Sequence, residues 1–235
     1  MFFIRERSQM VAFLFPSKAE AVIFLRRLSR IQKPEISEMG GLVFYEFFFK
    51  RQRVLVIITG MGKNILRLAE TQAFNFKEND LVVLTGLAKS FNKKFKIGAI
   101  VGVEMVKKEN EAGVFPVPNK PFPGIPYATL ITCDRLVFRC TEEADLADME
   151  GYYAVQKFKN ISIVKAVSDQ EEDIEFLNEF FSDGRIQIGS LLHHITAKQY
   201  VLFFTFLRNA HSARKKLAFF LMDFLTNVLS VESTG

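Results

Sequence analysis

Short runs of consecutive apolar residues recur along the chain: MVAFLFP (10–16), RVLVIITG (53–60), LVVLTGLAKSF (81–91), IGAIVGVEMV (97–106) and ISIVKAVSD (161–169). A run of this length, apolar on both alternating faces and bounded by proline, glycine or a polar residue, reads as a strand covered on both sides. Segments with helical spacing lie between them. SKAEAVIFLRRLSR (17–30) follows the first run, with Ser17 placed to cap a helix whose Ala21, Phe24, Leu25 and Leu28 share one face. Strands alternating with helices, without repeats or a linker, predict an α/β fold in one domain, 1–235, with a central mixed twisted sheet flanked by helices in three layers.

Along the chain, LVFYEFFFK (42–50) and the run at 53–60 predict a hairpin, and IQKPEISEMGG (31–41) before them reads as loop. Thr59-Gly60-Met61-Gly62-Lys63 is a glycine turn into a helix, NILRLAETQAF (64–74). A strand followed by a turn at Thr85-Gly86 is expected in 81–91. Five prolines in VFPVPNKPFPGIP (114–126) exclude a helix there. Further elements are a strand entered by ATLITCDRLV, a helix in MEGYYAVQKF and a helical C-terminal region ending in ARKKLAFFLMDFLTNVLS. In α/β folds ligands bind where strand ends open into turns. The turns at 59–63, 85–90 and 168–170 are the places such a fold offers. No complete GxGxxG or Walker sequence occurs.

Composition narrows the function classes. The net charge of +5 is mild and concentrates in KSFNKKFK (89–96) and RNAHSARKK (208–216), without a recognised nucleic-acid module, so no nucleic-acid partner is expected. Of 26 Phe and no Trp, most fall in strand or helix patterns and read as core. Cys133 and Cys140 make neither a metal knuckle nor a redox pair, and His193, His194 and His211 lack acids or thiols to complete a ligand set. No metal or cofactor is expected. The start MFFIRERSQM is unlike a signal peptide, and YVLFFTFL (200–207) is too short to cross a bilayer; a cytoplasmic protein with no membrane partner is expected.

Two carboxylates flank Met149, Asp148 and Glu150, and another stands at Asp169 after Ser168. Each has an ordinary explanation: Glu150 as a first-turn helix acid, Asp169 as a cap for QEEDIEFL, Glu20 as an exposed helix residue, Gly60 and Gly62 as a tight turn. Taken in order, however, FPSKAEAVIFL, VLVIITGMGK, LVVLTGLAKSFNKKFKIGAIV, ITCD, ADMEGYYAV and IVKAVSD resemble the nucleoside phosphorylase and nucleosidase superfamily, in its 5′-methylthioadenosine/S-adenosylhomocysteine nucleosidase branch. The resemblance spans residues 10–170.

That resemblance implies cleavage of a purine nucleoside at its N-glycosidic bond, by water or by phosphate. It implies Glu150 and Met149 at the ribose, Asp169 as the acid at purine N7, and Ser168 orienting it beside the base. It also implies Glu20 positioning the attacking water, with Thr59, Gly60 and Gly62 offering a turn to the sugar or nucleophile and Lys89 as an anion ligand. Subunits of relatives pair, so a homodimer is implied. The chain departs from the pattern. Leu87, Lys89 and Ser90 stand where small residues let ligand approach, and Leu87 there would fill part of the pocket. Lys165 replaces a frequent arginine, 106–128 is shortened, and Leu136 stands near the position of the aromatic that stacks on the base. Phosphorylase arginines are absent from the first turn, which favours hydrolysis. Phosphate-dependent phosphorolysis and a catalytically impaired nucleoside-binding homologue are the alternatives.

Overall fold

The computed structural model describes residues 10–49, 52–70, 76, 80–135, 143–170, 177, 181–182, 185–186 and 195–231. The strands are β1 (Met10–Phe15), β2 (Glu35–Met39), β3 (Leu42–Phe49), β4 (Gln52–Ile58), β5 (Leu81–Ser90), β6 (Ile100–Lys108), β7 (Val114–Pro116), β8 (Tyr127–Thr132), β9 (Leu146–Asp148), β10 (Ile161–Asp169), β11 (Phe181–Ser182) and β12 (Arg185–Ile186). The helices are α1 (Lys18–Ile31), α2 (Leu66–Glu70) after a 3-10 turn at Gly62–Ile65, α3 (Gly151–Lys157) and α4 (Ala197–Val231).

One mixed sheet of ten strands organises the molecule, in the order β10-β6-β8-β9-β5-β1-β4-β3-β2 with β7 on β6. Because β10 also pairs with β5, the strands β5, β10, β6, β8 and β9 close on themselves, and β1 to β4 extend from β5 as an open wing. The parallel pairs β1–β4, β1–β5 and β5–β10 bring the carboxyl ends of four strands to one side. All nine residues of β10 are buried, as expected for the strand where the barrel closes.

The sequence-derived face of α1 is the face it buries: Ala21, Phe24, Leu25 and Leu28 pack with Phe13, Val56, Val83, Leu217 and Leu221 between the sheet, α1 and α4. Phe24 meets Phe13 edge-on, ring centroids 5.0 Å apart. Full burial of such side chains stabilises by about 1.5–3 kcal/mol each. A second cluster, with Leu14, Ile57, Ile65, Leu84, Tyr153, Ala154 and Ile163, fills the space toward α2 and α3. Ser17 caps α1 by accepting from Glu20 N at 3.3 Å.

Three expectations need correction. Residues 35–39 are a strand, not loop: β2 pairs antiparallel with β3 while all five of its residues are exposed, so it carries no hydrophobic pattern to read. Residues 85–90 are not a turn, because β5 runs unbroken through Gly86 to Ser90, held by β10 on one side and β9 on the other. Ser168 and Asp169 likewise end β10 rather than forming a turn. The β3–β4 hairpin and the strands over 127–132 and 161–169 stand as expected, and no helix occurs among residues 106–128. The helix expected over 64–74 runs to Glu70 in the described residues. Among the described residues, no helix is long and apolar enough to cross a membrane.

Candidate active site

A lysine in the middle of a fully buried strand requires partners, since a desolvated ammonium is costly alone. Lys165 of β10 is fully buried, with Nζ 2.8 Å from Asp148 Oδ2 and 3.7 Å from Glu150 Oε2. Asp148 ends β9 and fixes the start of α3. It accepts from Gly151 N at 3.0 and 3.1 Å and from Thr132 Oγ1 at 2.8 Å, while Thr132 Oγ1 accepts from Tyr152 N at 2.8 Å. Asp148 and Thr132 thus do the capping. Glu150, at the N-cap position, makes no side-chain cap bond and turns instead into the interior, where its Oε1 accepts from Gly62 N at 2.9 Å.

Glu20 approaches the same region from the first turn of α1. Its Oε2 accepts from Leu87 N at 2.7 Å and its Oε1 from Ser17 Oγ at 3.0 Å, so it is not an exposed helix acid. Gly86 makes this possible. A Cβ there would lie 2.4 Å from Glu20 Oε2 and 3.1 Å from Pro16 Cδ, and its φ of +151° also favours glycine. Gly86 is the register partner of Lys165.

Three carboxylates and one ammonium therefore share a buried space, and their titration reflects it. Burial pushes the Glu150 carboxyl up to about 8; the charges of Asp148 and Glu20 add to the rise, while Lys165 and the Gly62 N–H oppose it. Burial also raises Glu20, against the Leu87 N–H and Lys165. For Lys165, burial disfavours the charge, but Asp148 and Glu150 outweigh it and hold the ammonium above its ordinary value. Burial thus favours the protonated form of both glutamates, and the Lys165 ammonium opposes it.

A second polar cluster sits at the end of β10. Asp169 Oδ1 accepts from Ser168 Oγ at 2.6 Å, and Asp169 Oδ2 lies 3.3 Å from Lys89 Nζ. All three residues are buried. From Gly86 to Lys89 on β5, and from Lys165 to Asp169 on β10, the two clusters are about 10–13 Å apart along the strands.

The structure brings together Glu20, Glu150 and the Gly60–Gly62 turn at one end, and Ser168 and Asp169 at the other. Gly60 and Gly62 have φ of +80° and +60°, and Met149 O lies 3.8 Å from where a Gly62 Cβ would be. Thr59 Oγ1 lies 3.2 Å from Phe15 O and 3.0 Å from Gly60 O, anchoring the turn. Met149 is half-buried between the two acids. Lys89 is not at that turn but beside Asp169. Leu87 packs with the cluster between the sheet, α1 and α4, and contributes its backbone N–H to Glu20. Leu136, Cys140, His193 and His194 lie outside the described residues. The role of Lys165 was missed, although its signal was present: a lone lysine within ISIVKAVSD.

The closed mixed sheet, the Gly60–Gly62 turn facing a glutamate at the start of α3, and the Ser-Asp end of β10 define the class: the chain has the nucleoside phosphorylase/nucleosidase fold, in the form found in 5′-methylthioadenosine/S-adenosylhomocysteine nucleosidases. The relatives are specific. The chain superposes on the Helicobacter pylori 5′-methylthioadenosine/S-adenosylhomocysteine nucleosidase bound to butyl-thio-DADMe-Immucillin-A with a TM-score of 0.70 and 15% identity, covering 94% of this chain and 100% of that one. A futalosine hydrolase mutant of H. pylori gives 0.69 at 15% identity over 93% and 99%. A Chlamydia trachomatis nucleosidase bound to methylthioadenosine gives 0.66 at 16% over 93% and 98%. In sequence, 71 residues are 30% identical to the nucleosidase of Buchnera aphidicola subsp. Schizaphis graminum, a match spanning 30% of each chain. No protein-family model matches the chain.

Proposed function

We propose that this protein hydrolyses the N-glycosidic bond of a purine nucleoside. The carrying observation is the convergence of Glu20, lying over the side-chain-free Gly86, and Glu150 on the buried Lys165, on the strand pair whose far end holds Ser168 and Asp169. The similarity in fold to nucleosidases holding nucleoside and inhibitor supports the same reading.

In this reading the ribose lies over the anionic cluster. As the C1′–N9 bond breaks, the sugar becomes cationic, and carboxylates held in a dry site stabilise that charge without reorganising. Glu150 accepts from the ribose hydroxyls, and positive charge on the ring favours its ionised form. Met149 packs against the sugar, and Glu20 takes the proton of the attacking water. The departing base meets Ser168, Asp169 and Lys89.

Water is favoured over phosphate because the nucleophile end presents three carboxylates against the single ammonium of Lys165. Lys63, on the turn, points outward, 3.8 Å from Asp134. Incubation with methylthioadenosine, adenosine and inosine, with and without phosphate, should release free base at equal rates. Release that needs phosphate and yields ribose 1-phosphate would establish a phosphorylase. Binding without release would establish an impaired homologue. Pairing into a homodimer and a cytoplasmic location belong to the same proposal.

A further inference from the structure

Two basic runs, 89–96 and 208–216, stand far apart in the sequence, and the fold joins them. Lys216 of α4 lies across Gly98: a Cβ there would be 2.7 Å from Lys216 Nζ. The same helix meets α1, where Arg214 donates to Ala19 O at 2.9 Å and the Arg27 guanidinium lies 3.5 Å over the Phe219 ring. Residues 91–99, α1 and α4 together carry twelve lysines and arginines against two acids, Glu20 and Asp223. Glu20 is turned inward onto Leu87 N, and Lys94 lies 3.8 Å from Asp145 at the edge of this surface. The whole chain nets only +5, so its other segments are net acidic and the positive charge is gathered here.

The same surface is apolar. Along α4, Val201, Phe204, Arg208, His211, Lys215 and Phe219 follow at steps of three or four residues, so they share one side of the helix, and all are exposed. This stripe is about 27 Å long. Ala213, Leu217, Leu221 and Leu225 of the same helix are buried against the sheet. Of the exposed large apolar side chains among the described residues, five lie on these two helices: Ile31, Tyr200, Val201, Phe204 and Phe219. Val201 is 64% exposed and Ile31 63%.

Charge selects the occupant. A second copy of this face would set like charges together, so what lies on it is anionic. Aliphatic Val201 and Ile31 find no partner on a sugar-phosphate chain. A bilayer interface accepts aliphatic and aromatic side chains at the headgroup level while lysine and arginine stay at the phosphates. A helix with a basic and apolar exposed side reads in the same way.

We infer that α4, with α1 and residues 91–99 beside it, is a docking face for an anionic lipid bilayer. The helix lies in the plane of the membrane, Val201, Phe204 and Phe219 enter the headgroup region, and Arg208, Lys215 and Lys216 meet lipid phosphates. The expectation of no membrane partner came from the lack of a spanning segment, which does not bear on a face that lies on the surface.

The test is co-sedimentation of the full chain with vesicles of phosphatidylcholine alone and of an equal mixture of phosphatidylcholine and phosphatidylglycerol, at low and high salt. Wild type should sediment with the mixed vesicles, stay in solution with phosphatidylcholine, and be released as salt rises. Each lysine or arginine at such a surface is worth about fivefold in partitioning, so Arg208→Gln/Lys215→Gln should bind about 25-fold more weakly. Val201→Ser/Phe204→Ser should bind about tenfold more weakly to the same vesicles. Thermal unfolding checks that the variants are folded, and the wild-type salt series needs no variant. Equal binding to both kinds of vesicle, no binding to the mixed vesicles at low salt, or folded variants that bind like wild type would each overturn the inference. Tighter binding to a mixed-sequence single-stranded RNA than to the mixed vesicles, unchanged by Val201→Ser/Phe204→Ser, would assign the face to nucleic acid and overturn it as well.

Discussion

Replacing Lys165 with methionine removes the cation that lies between Asp148 and Glu150 while keeping the length of the side chain. With Nζ 2.8 Å from one carboxylate and 3.7 Å from the other, and no solvent access, its loss strands acids that water cannot reach. Breaking a buried pair from one side typically costs about 3–5 kcal/mol. For a chain of this size that corresponds to a fall in Tm of roughly 6–20 °C. The cost is not uniform in pH. Without the cation the Glu150 carboxyl, already raised to about 8, rises further, so the cost grows as pH climbs through about 8 and is larger near about pH 9 than near about pH 5.5. Urea denaturation of wild type and Lys165→Met at both pH values measures this directly. Adding Glu150→Gln to Lys165→Met should restore part of the stability near about pH 9, since the buried acid no longer has to ionise or hold a proton there. Lys165→Arg, keeping the cation, should lose less than Lys165→Met. A loss equal at both pH values, or a Lys165→Met protein as stable as wild type near about pH 9, would refute the account of this cluster as one lysine balancing buried carboxylates.

Glu150 makes a second pH prediction, with its sign fixed by the direction of its shift. Its carboxyl titrates at about 8 in the folded chain against 4.5 ordinarily, so the folded state keeps a proton that the unfolded state has released. Its contribution to stability is whole below pH 4.5 and is lost as pH rises through about 8, by an amount on the order of a few kcal/mol; Glu150→Gln should flatten that slope in denaturant titrations. Gly86→Ala places a methyl 2.4 Å from Glu20 Oε2 and should lower kcat about a hundredfold in the base-release assay, because Glu20 must move. Thr132→Val removes both the donor to Asp148 and the acceptor for Tyr152 N, and should cost about 1–2 kcal/mol by chemical denaturation.

The alternation of short apolar runs with Ser17-capped helical segments by itself determined the α/β class, the strands at 10–15, 52–58, 127–132 and 161–169, and the buried face of α1, because burial imposes periodicity that a sequence displays. It also carried the candidate acids, Glu20, Glu150 and Asp169, through an ordered set of motifs. Three features depended on partners outside their own segment. The edge strand β2 forms by pairing with β3 alone, with no buried face to announce it. Gly86 read as a turn because a glycine in a strand looks the same, locally, as a glycine after one; only the approach of Glu20 from α1 explains it. The pairing of Lys165 with Asp148 and Glu150, and of Lys89 with Asp169, was decided by the closing of β5 onto β10 and β9. Ion pairs between strands are set by register, and register, including the one-residue shift at Ser168, exists only once the strands lie side by side.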